Sequence, residues 1–371
     1  MDTRDRNTDP TAQGAMIPDG AILPTDPILI DAGETIPGGP PAPGETTSIK
    51  GTEKIRTPFQ ESLLRLWRDK RAMVCAGIIL FFVLLAVLGP LIYQHIGGTF
   101  QSSINGATSA SVYHNPFHQE LDHQDEFVSG MYWLGTDSVG RDLLARLMQG
   151  LLISISVAVL VEIVDIALGI TIGVLAGYFG GWIDQFLARF TDIMFAFPGL
   201  LFVILLTGIF GTWADTTLGN IPIIGPNGNA RLILVSLALA FTAWPLMARY
   251  VRGQTLQLKE QQFVEAARTS GASSAQIILR HIIPNLFSIV IIASTLNIAN
   301  TIVGEAGISL LGLGVQSPGS SLGLMISDGI SLIDSHPWEV LLPSIVLAII
   351  VLCFSFLGDG LRDAFDPRSK D

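Results

Sequence analysis

The sequence predicts an all-α membrane protein with six transmembrane helices. Hydrophobic residues make up 49% of its 371 residues and charged residues only 14%, whereas soluble domains carry roughly a quarter charged residues. The mean hydropathy is +0.51. A helix needs about 20 apolar residues to satisfy its backbone amides across a bilayer. The runs that meet this requirement are residues 72–93, 151–177, 193–210, 231–249, 284–304 and 340–358.

The chain divides into segments of different composition. The N-terminal stretch is rich in Pro, Gly, Thr and Asp. Such a stretch has too little apolar surface to offset its conformational entropy, so we expect disorder there. The predicted order is a disordered cytoplasmic tail (1–57), an amphipathic lead-in (58–71), the first transmembrane helix (72–93), an extracytoplasmic loop with a short helix (94–150), and a five-helix transmembrane domain (151–368) that contains a loop at 253–284.

The basic residues predict the orientation of the spans. With the N-terminus inside, 18 of the 21 Lys and Arg residues fall in cytoplasmic segments. The outer segments hold only Arg141, Arg146 and Arg231. Because cytoplasmic loops carry an excess of basic residues, both termini and the loop at 253–284 are predicted to be cytoplasmic.

The sequence of the loop at 253–284 predicts two helices joined by a tight corner. The first ends at Gly271, which suits the left-handed position after a helix. Ser273 stands three residues before Gln276, a capping-box spacing that starts a second short helix. We expect that second helix to end before Pro284, since the residue before a proline avoids the helical region.

Two acids stand inside the second apolar run. Glu162 and Asp165 are three residues apart and therefore share a helix face. Ionised acids at this depth are costly and rarely face lipid. In one interpretation they lie on a translocation path and contact a cationic substrate. In the other they pair with polar groups between helices, or they are protonated.

A small-residue stripe follows on the same run. Gly169, Gly173 and Gly177 are four residues apart on one helix face, which allows a second helix to approach closely. We expect packing within the subunit rather than a dimer interface.

Motifs for catalysis or metal binding are missing from the sequence. There is no GxxxxGK[ST] phosphate loop and no HExxH pair. The GxSxG match centred on Ser321 lies between membrane spans and not on a strand–turn–helix elbow. His114, His118 and His123 cluster in the outer loop, where they could form a metal site or be solvated; we expect solvated histidines. Asp137 and Asp142 flank Gly140-Arg141 beside a helix start, and capping with local ion pairing explains them as well as a binding role does.

Several motifs together resemble one transporter family. Glu265-Ala266-Ala267, a Gly four residues later and a Pro thirteen residues after that Gly are similar to the EAA motif of ABC-importer permeases. The stretch RHIIPN resembles the form found in the dipeptide/oligopeptide/nickel branch. LGTDSVGRDLLARLMQG (134–150), AGYFGGWIDQFLARFTDIMFAFP (176–198) and the closing GDGLRDAFDPR (358–368) resemble the same branch.

The resemblance implies a permease of the ABC type I importer kind, in a prokaryotic inner membrane, whose cytoplasmic loop carries a coupling helix. It implies no catalytic residue, metal or cofactor in this chain, since ATP and Mg²⁺ would bind two partner ATPase subunits. It also implies a second homologous permease, an extracytoplasmic substrate-binding protein and a short peptide, nickel or other small solute as cargo, with no nucleic acid. The docking and coupling residues would be Glu265, Ala266, Ala267, Gly271, Ser273, Gln276, Arg280 and Pro284.

Two other functions are compatible with parts of the sequence. A proton-coupled secondary transporter would use Glu162 and Asp165 as a proton relay, but it would need no docking loop. A membrane-anchored scaffold would recruit partners through the N-terminal tail.

Overall fold

The computed structural model describes residues 58–96, 99–104, 107–112, 114–219 and 230–365. The tail predicted at 1–57 and the last three residues of the closing motif lie outside the described residues. The helices are α1 (Pro58–Arg68), α2 (Lys70–Ile96), α3 (Leu143–Phe179), α4 (Gly181–Ala196), α5 (Gly199–Thr217), α6 (Ala230–Leu258), α7 (Gln262–Thr269), α8 (Ser274–Ile277), α9 (Ile283–Leu310), α10 (Leu322–Gly329) and α11 (Trp338–Phe365).

The prediction of six membrane spans is confirmed. Among the described residues, six helical segments are long and apolar enough to cross a membrane: α2, α3, α5, α6, α11 and the continuous segment Ser274–Leu310 that joins α8 to α9. The third span was predicted at 193–210, but α5 begins at Gly199, so the first six residues of the predicted span lie outside it. Pro198 instead caps the start of α5, and the residues before it form the separate helix α4.

The second span begins earlier than the apolar run at 151–177. Helix α3 starts at Leu143 because the Asp142 carboxylate accepts hydrogen bonds from the backbone N–H groups of Leu144 (2.8 Å) and Ala145 (3.1 Å). Such a cap satisfies donors that the first helical turn leaves free. The predicted capping role of Asp142 is therefore confirmed.

The outer loop contains a strand pair that the sequence analysis did not predict. Strands β1 (Thr99–Ile104) and β2 (Ala107–Val112) form an antiparallel hairpin in which Thr99 lies opposite Val112. A short isolated hairpin with alternating small polar residues carries little hydrophobic signal, so a composition-based reading assigns it to a loop.

The glycine stripe of α3 packs against α6 of the same chain. A Cβ at Gly173 would lie 2.7 Å from the Ala248 carbonyl oxygen, and one at Gly169 would lie 2.4 Å from Met247 Cγ. Contacts this short are not available to any residue larger than glycine. The expectation of packing within the subunit is therefore confirmed.

Among the described residues, the two largest apolar clusters lie at different levels of the bundle. One contains Leu151 of α3, Ile302 of α9, Leu322 of α10 and Ile350 of α11, so α10 folds back between the long helices. The other lies towards the opposite end of α3 and buries Val174, Val251, Val264, Ile277 and Ile282. It seats α7 and α8 on α3, α6 and α9.

Candidate functional site

Helix α7 rests on the bundle through a single fully buried side chain. Val264 is buried in the second apolar cluster, and Ala267 packs against the same cluster. Glu265, Ala266 and Arg268 are exposed. The apolar face of this short helix is therefore used inside the subunit, whereas its charged face points to solvent.

The corner after α7 has the geometry that the sequence predicts. Gly271 has φ of +83°, a left-handed conformation that favours glycine. Its N–H donates to the Arg268 carbonyl (3.0 Å), and the Ala272 N–H donates to the Ala267 carbonyl (3.1 Å). These two bonds form a Schellman motif, which satisfies the last carbonyls of the helix.

The capping box at the start of α8 is also present. The Ser273 N–H donates to Gln276 Oε1 (2.9 Å), and the Gln276 N–H donates to Ser273 Oγ (3.3 Å). Ile277 follows with almost no exposure and fixes α8 to the second apolar cluster. The reciprocal bonds and the buried isoleucine together define the direction of α8.

The chain does not break before Pro284, contrary to the expectation from sequence. A π-helical turn at Ile278–Ile282 continues directly into α9, and the Ile283 N–H donates to the Ile278 carbonyl. Pro284 then occupies the first turn of α9, where a missing N–H costs little. The wider turn absorbs the proline, so α8 and α9 form one helical path of 37 residues, Ser274–Leu310.

The predicted docking residues lie on or beside this helix–corner–helix unit. Arg280 is exposed, and the neighbouring Leu279 has 65% of its surface exposed. The predicted residues that are exposed are Glu265, Ala266, Gly271, Ser273, Gln276, Arg280 and Pro284, while Ala267 is partly buried.

An ion pair braces α4 against the second half of α6. Arg252 donates from Nε to Asp184 Oδ1 (2.5 Å) and from Nη2 to Asp184 Oδ2 (2.8 Å). These hydrogen bonds hold the pKa of Asp184 below its usual range. A bidentate pair fixes the relative rotation of the two helices better than a single contact would.

The two acids of α3 meet an asparagine of α9. Asn297 Nδ2 donates to Glu162 Oε2 (2.9 Å) and to Asp165 Oδ2 (3.1 Å). Both acids are buried, and among the described residues Glu162 Oε1 and Asp165 Oδ1 have no hydrogen-bond partner. One amide therefore joins α3 to α9, and two carboxylate oxygens remain to be satisfied.

A third intramembrane acid was not predicted from the sequence. Glu305 of α9 is 1% exposed and accepts hydrogen bonds from Ser154 Oγ (2.8 Å) and Ser309 Oγ (2.7 Å). Ser309 also bonds to Ser321, the N-cap of α10. The predicted span 284–304 ended one residue before Glu305, so this acid was not among the intramembrane acids considered from the sequence. Ser309 lies four residues after Glu305 on the same helix face, and this spacing was the sequence signal that could have indicated a hydrogen-bonded acid.

An ion-pair network fixes the N-terminal end of α3. Arg146, 1% exposed, donates from Nη1 to Asp137 Oδ2 (2.5 Å) and from Nη2 to Asp328 Oδ2 (3.0 Å). Arg141 Nε also donates to Asp137 Oδ2 (2.7 Å). The expected local ion pairing of Asp137 is confirmed, and the contact with Asp328 adds a link to α10.

His114 corrects the expectation of solvated outer-loop histidines. It is buried and lies with Nδ1 2.7 Å from Asp142 Oδ2, to which Tyr93 OH also donates (2.9 Å). The Tyr93 and His114 rings are 4.1 Å apart. Asp142, which caps α3, therefore also joins His114 of the outer loop to Tyr93 near the end of α2.

Two family descriptions match the chain. The family of binding-protein-dependent transport system inner membrane components matches residues 169–371. The N-terminal transmembrane domain of oligopeptide transport permease C matches residues 57–104.

Curated relatives align along nearly their whole length. The oligopeptide transport system permease protein OppC of Salmonella typhimurium is 38% identical over 335 residues, covering 87% of this chain and 99% of the relative. OppC of Bacillus subtilis is 33% identical over 331 residues, covering 89% and 96%. The glutathione transport system permease protein GsiD of Salmonella typhimurium is 36% identical over 318 residues, covering 86% and 93%.

Among solved structures, an inward-facing MetNI methionine ABC transporter matches with a TM-score of 0.45 and 18% identity, covering 59% of this chain and 96% of the other. The matched family covers more than half of the chain, and the relatives align over most of it. The resemblance seen in the EAA segment is confirmed. The chain therefore belongs to the inner membrane components of binding-protein-dependent transport systems, the permease subunits of ABC importers.

Proposed function

We propose that this chain is one of two permease subunits of an importer for short peptides, and that the unit formed by α7, the Gly271 corner and α8 docks an ATPase subunit. The observation that carries the docking assignment is the continuous helix Ser274–Leu310. Relatives named for oligopeptide and glutathione transport support a short peptide as the cargo.

The proposed orientation places the α7–α8 unit and both termini in the cytoplasm. The β1–β2 hairpin and the N-terminal end of α3 then face the substrate-binding protein on the other side. A second, homologous permease completes the path, and two ATPase subunits bind ATP and Mg²⁺. In this arrangement the chain transmits motion and lines the path, while hydrolysis occurs on its partners.

The continuous helix explains how motion of an ATPase would reach the membrane. At about 1.5 Å per residue, the 37 residues of Ser274–Leu310 extend about 55 Å. Ile282, Leu286 and Val290 pack this helix into the second apolar cluster. A displacement at α8 therefore moves α9 without first straightening a loop, and α9 carries both Asn297 and Glu305.

The carboxylates of α3 fit a role on the translocation path. Glu162 and Asp165 share one donor, Asn297, so movement of α9 would alter how their charges are satisfied. Their two unpartnered oxygens offer acceptors to a cationic group such as a peptide amine. This assignment predicts that Glu162→Gln with Asp165→Asn lowers transport without preventing assembly.

The docking proposal is tested with two Arg substitutions at exposed positions. Ala275→Arg places a long charged side chain on α8, whereas the control Gln185→Arg places one on α4; both native residues are exposed. Each full-length variant is expressed with the candidate companion permease and ATPases. We expect Ala275→Arg to lower ATPase co-purification at least about tenfold, equivalent to about 1.4 kcal/mol, because a docked face excludes an added charge.

Transport in proteoliposomes provides the second readout. We expect ATP inside the vesicles to drive peptide uptake in the absence of a proton gradient, with Gln185→Arg close to wild type. Equal ATPase recovery from both variants would refute docking at α8. Uptake that needs a proton gradient and no ATPase would instead support the secondary-transporter alternative.

A further inference from the structure

Three potential metal ligands meet far from the coupling segment. Asp125 lies in the outer loop, His336 precedes α11, and Glu339 lies in its first turn. One ligand atom from each lies within 4.8 Å of the other two. More than 200 residues separate Asp125 from the other two ligands in the sequence, which is why spacing rules do not detect the group.

The acid at the centre of this group is poorly satisfied. Glu339 is 3% exposed, and its Oε1 has no hydrogen-bond partner in the part of the chain that the structure describes. Asp125 Oδ1 is also buried without a partner. Two carboxylates placed together in a buried position repel each other unless a proton or a cation lies between them.

The arginine that acts on Glu339 already donates hydrogen bonds to other acids. Arg146 acts electrostatically on Glu339, but its Nη1 and Nη2 donate to Asp137 and Asp328, and its Nε alone has no hydrogen-bond partner among the described residues. Asp137, which also acts on Glu339, adds a further negative charge nearby. The surroundings therefore leave the Asp125–Glu339 pair with a deficit of positive charge.

The polypeptide around the ligands is held in place by other contacts. Asp125 has φ of +51°, and its N–H donates to the Asp137 carbonyl (3.1 Å). Phe127 packs edge-on against Trp338 with ring centroids 4.9 Å apart, and His336 packs edge-on against the same ring at 5.2 Å. The Phe127–Trp338 contact brings the loop and the start of α11 together independently of the ligand atoms.

The ring nitrogens of His336 are compatible with ligation. Nδ1 lies 3.0 Å from Ser335 Oγ, which serves as the outer hydrogen-bond partner that a metal-bound histidine commonly has. Nε2 is then the nitrogen that would face a metal. One imidazole and two carboxylates form a donor set suited to Zn²⁺ or Mn²⁺ more than to Ca²⁺ or Mg²⁺, which prefer oxygen ligands only.

We propose that Asp125, His336 and Glu339 bind one divalent transition-metal ion, of the Zn²⁺ or Mn²⁺ class, which joins the outer loop to the start of α11. Metal–ligand bonds of about 2.0–2.2 Å require neighbouring ligands to approach to roughly 3.5 Å. Side-chain rotations that reduce the largest 4.8 Å separation by about 1.3 Å are sufficient. Water would complete the coordination.

The ion would act as a structural clip between two outer segments. It replaces repulsion between Asp125 and Glu339 with shared coordination, so the outer loop is held to α11 more tightly in its presence. This inference does not depend on which cargo the permease carries or on docking at α8.

The test uses the full-length chain, purified in detergent with a streptavidin-affinity tag so that no tag histidines are present. After treatment with EDTA, the protein is loaded separately with Zn²⁺, Mn²⁺, Ca²⁺ or Mg²⁺, passed through gel filtration and analysed for bound metal. Glu339→Gln and His336→Gln remove ligands. Glu126→Gln is the control, since Glu126 lies in the same loop but pairs with His123 (2.6 Å).

We expect one Zn²⁺ or Mn²⁺ per wild-type chain, with the same amount in Glu126→Gln. Each ligand variant should lose at least about 100-fold in affinity, because removing only a hydrogen-bond partner of a ligand already costs about 10–100-fold. Zn²⁺ should also raise the unfolding temperature of the wild type and leave that of His336→Gln unchanged. If Glu339→Gln does not elute as a monodisperse protein, His336→Gln decides the outcome. Metal-free wild type, or full metal retention by the ligand variants, would overturn the proposal.

Discussion

The contact between α3 and α6 provides a sharp test, through Gly173→Ala. An added Cβ would lie 2.7 Å from both the Ala248 carbonyl oxygen and Val251 Cβ. Weak carbon–oxygen contacts occur at about 3.3–3.6 Å, so the two helices must separate locally by roughly 0.6 Å. Such a gap removes a quarter or more of the dispersion energy of the facing atoms, and overpacking of this kind costs about 1–3 kcal/mol.

The assay is unfolding of the detergent-solubilised chain by titration with a denaturing surfactant. Gly77→Ala is the matched control, because Gly77 also lies in a membrane span but a Cβ there has no neighbour within 4 Å. We expect Gly173→Ala to lower the free energy of unfolding by about 2 kcal/mol, a factor of roughly 30 in the equilibrium, relative to the control. Equal stability of the two variants, within about 0.5 kcal/mol, would refute close packing at the glycine stripe.

Three further substitutions test other parts of the structure. Gly271→Ala should lower the free energy of unfolding by about 1–2 kcal/mol, because the left-handed φ at this position strains any residue with a Cβ. Gly253→Ala is the control: a Cβ there also has no neighbour within 4 Å, but Gly253 lies in a helix, so its free energy of unfolding should not fall. Surfactant titration of both variants measures the difference. Arg146→Ala should cost about 1.5–3 kcal/mol in the same assay, because it removes charge-assisted hydrogen bonds to Asp137 and Asp328 while Arg141 still pairs with Asp137. Arg231→Ala, whose ion pair is exposed, should cost about 0–1 kcal/mol. The lowered pKa of Asp184 means that its ion pair stabilises the fold above the unfolded pKa of about 3.9 and that this contribution is lost as pH falls through the lower folded value. Asp184→Asn should therefore be less stable than wild type at pH 7, by less than about 1 kcal/mol, and should lose less stability than wild type as the pH falls. Thermal unfolding of both proteins from pH 7 to pH 3 measures this. Parallel pH profiles of wild type and variant would contradict it.

The coupling segment shows how far local sequence reasoning extends. Gly271 and the Ser273–Gln276 box were predicted correctly because each acts through backbone bonds to residues within five positions. The break expected before Pro284 was wrong because a π-helical turn can absorb a proline. That choice depends on Ile277 and Ile282, which are buried against α3 and α6 and are not part of the local signal.

Long-range partners account for the other differences. The start of α3 at Leu143 depends on Asp142, which is held by Tyr93 and His114 from distant segments. The serine partners of Glu305 lie as far away as Ser154, so no window of sequence contains the site.

The sequence by itself determined that the chain spans a membrane six times and carries an EAA segment with a defined corner. Both properties arise from short windows: the hydropathy of about 20 residues, and the capping and glycine geometry of a single turn. Only the tertiary structure decided which polar groups meet inside the bundle. Acids in an apolar environment must find donors or cations, and the helices that supply them, such as α9 for Glu162 and Asp165, are brought near by packing that no local pattern encodes.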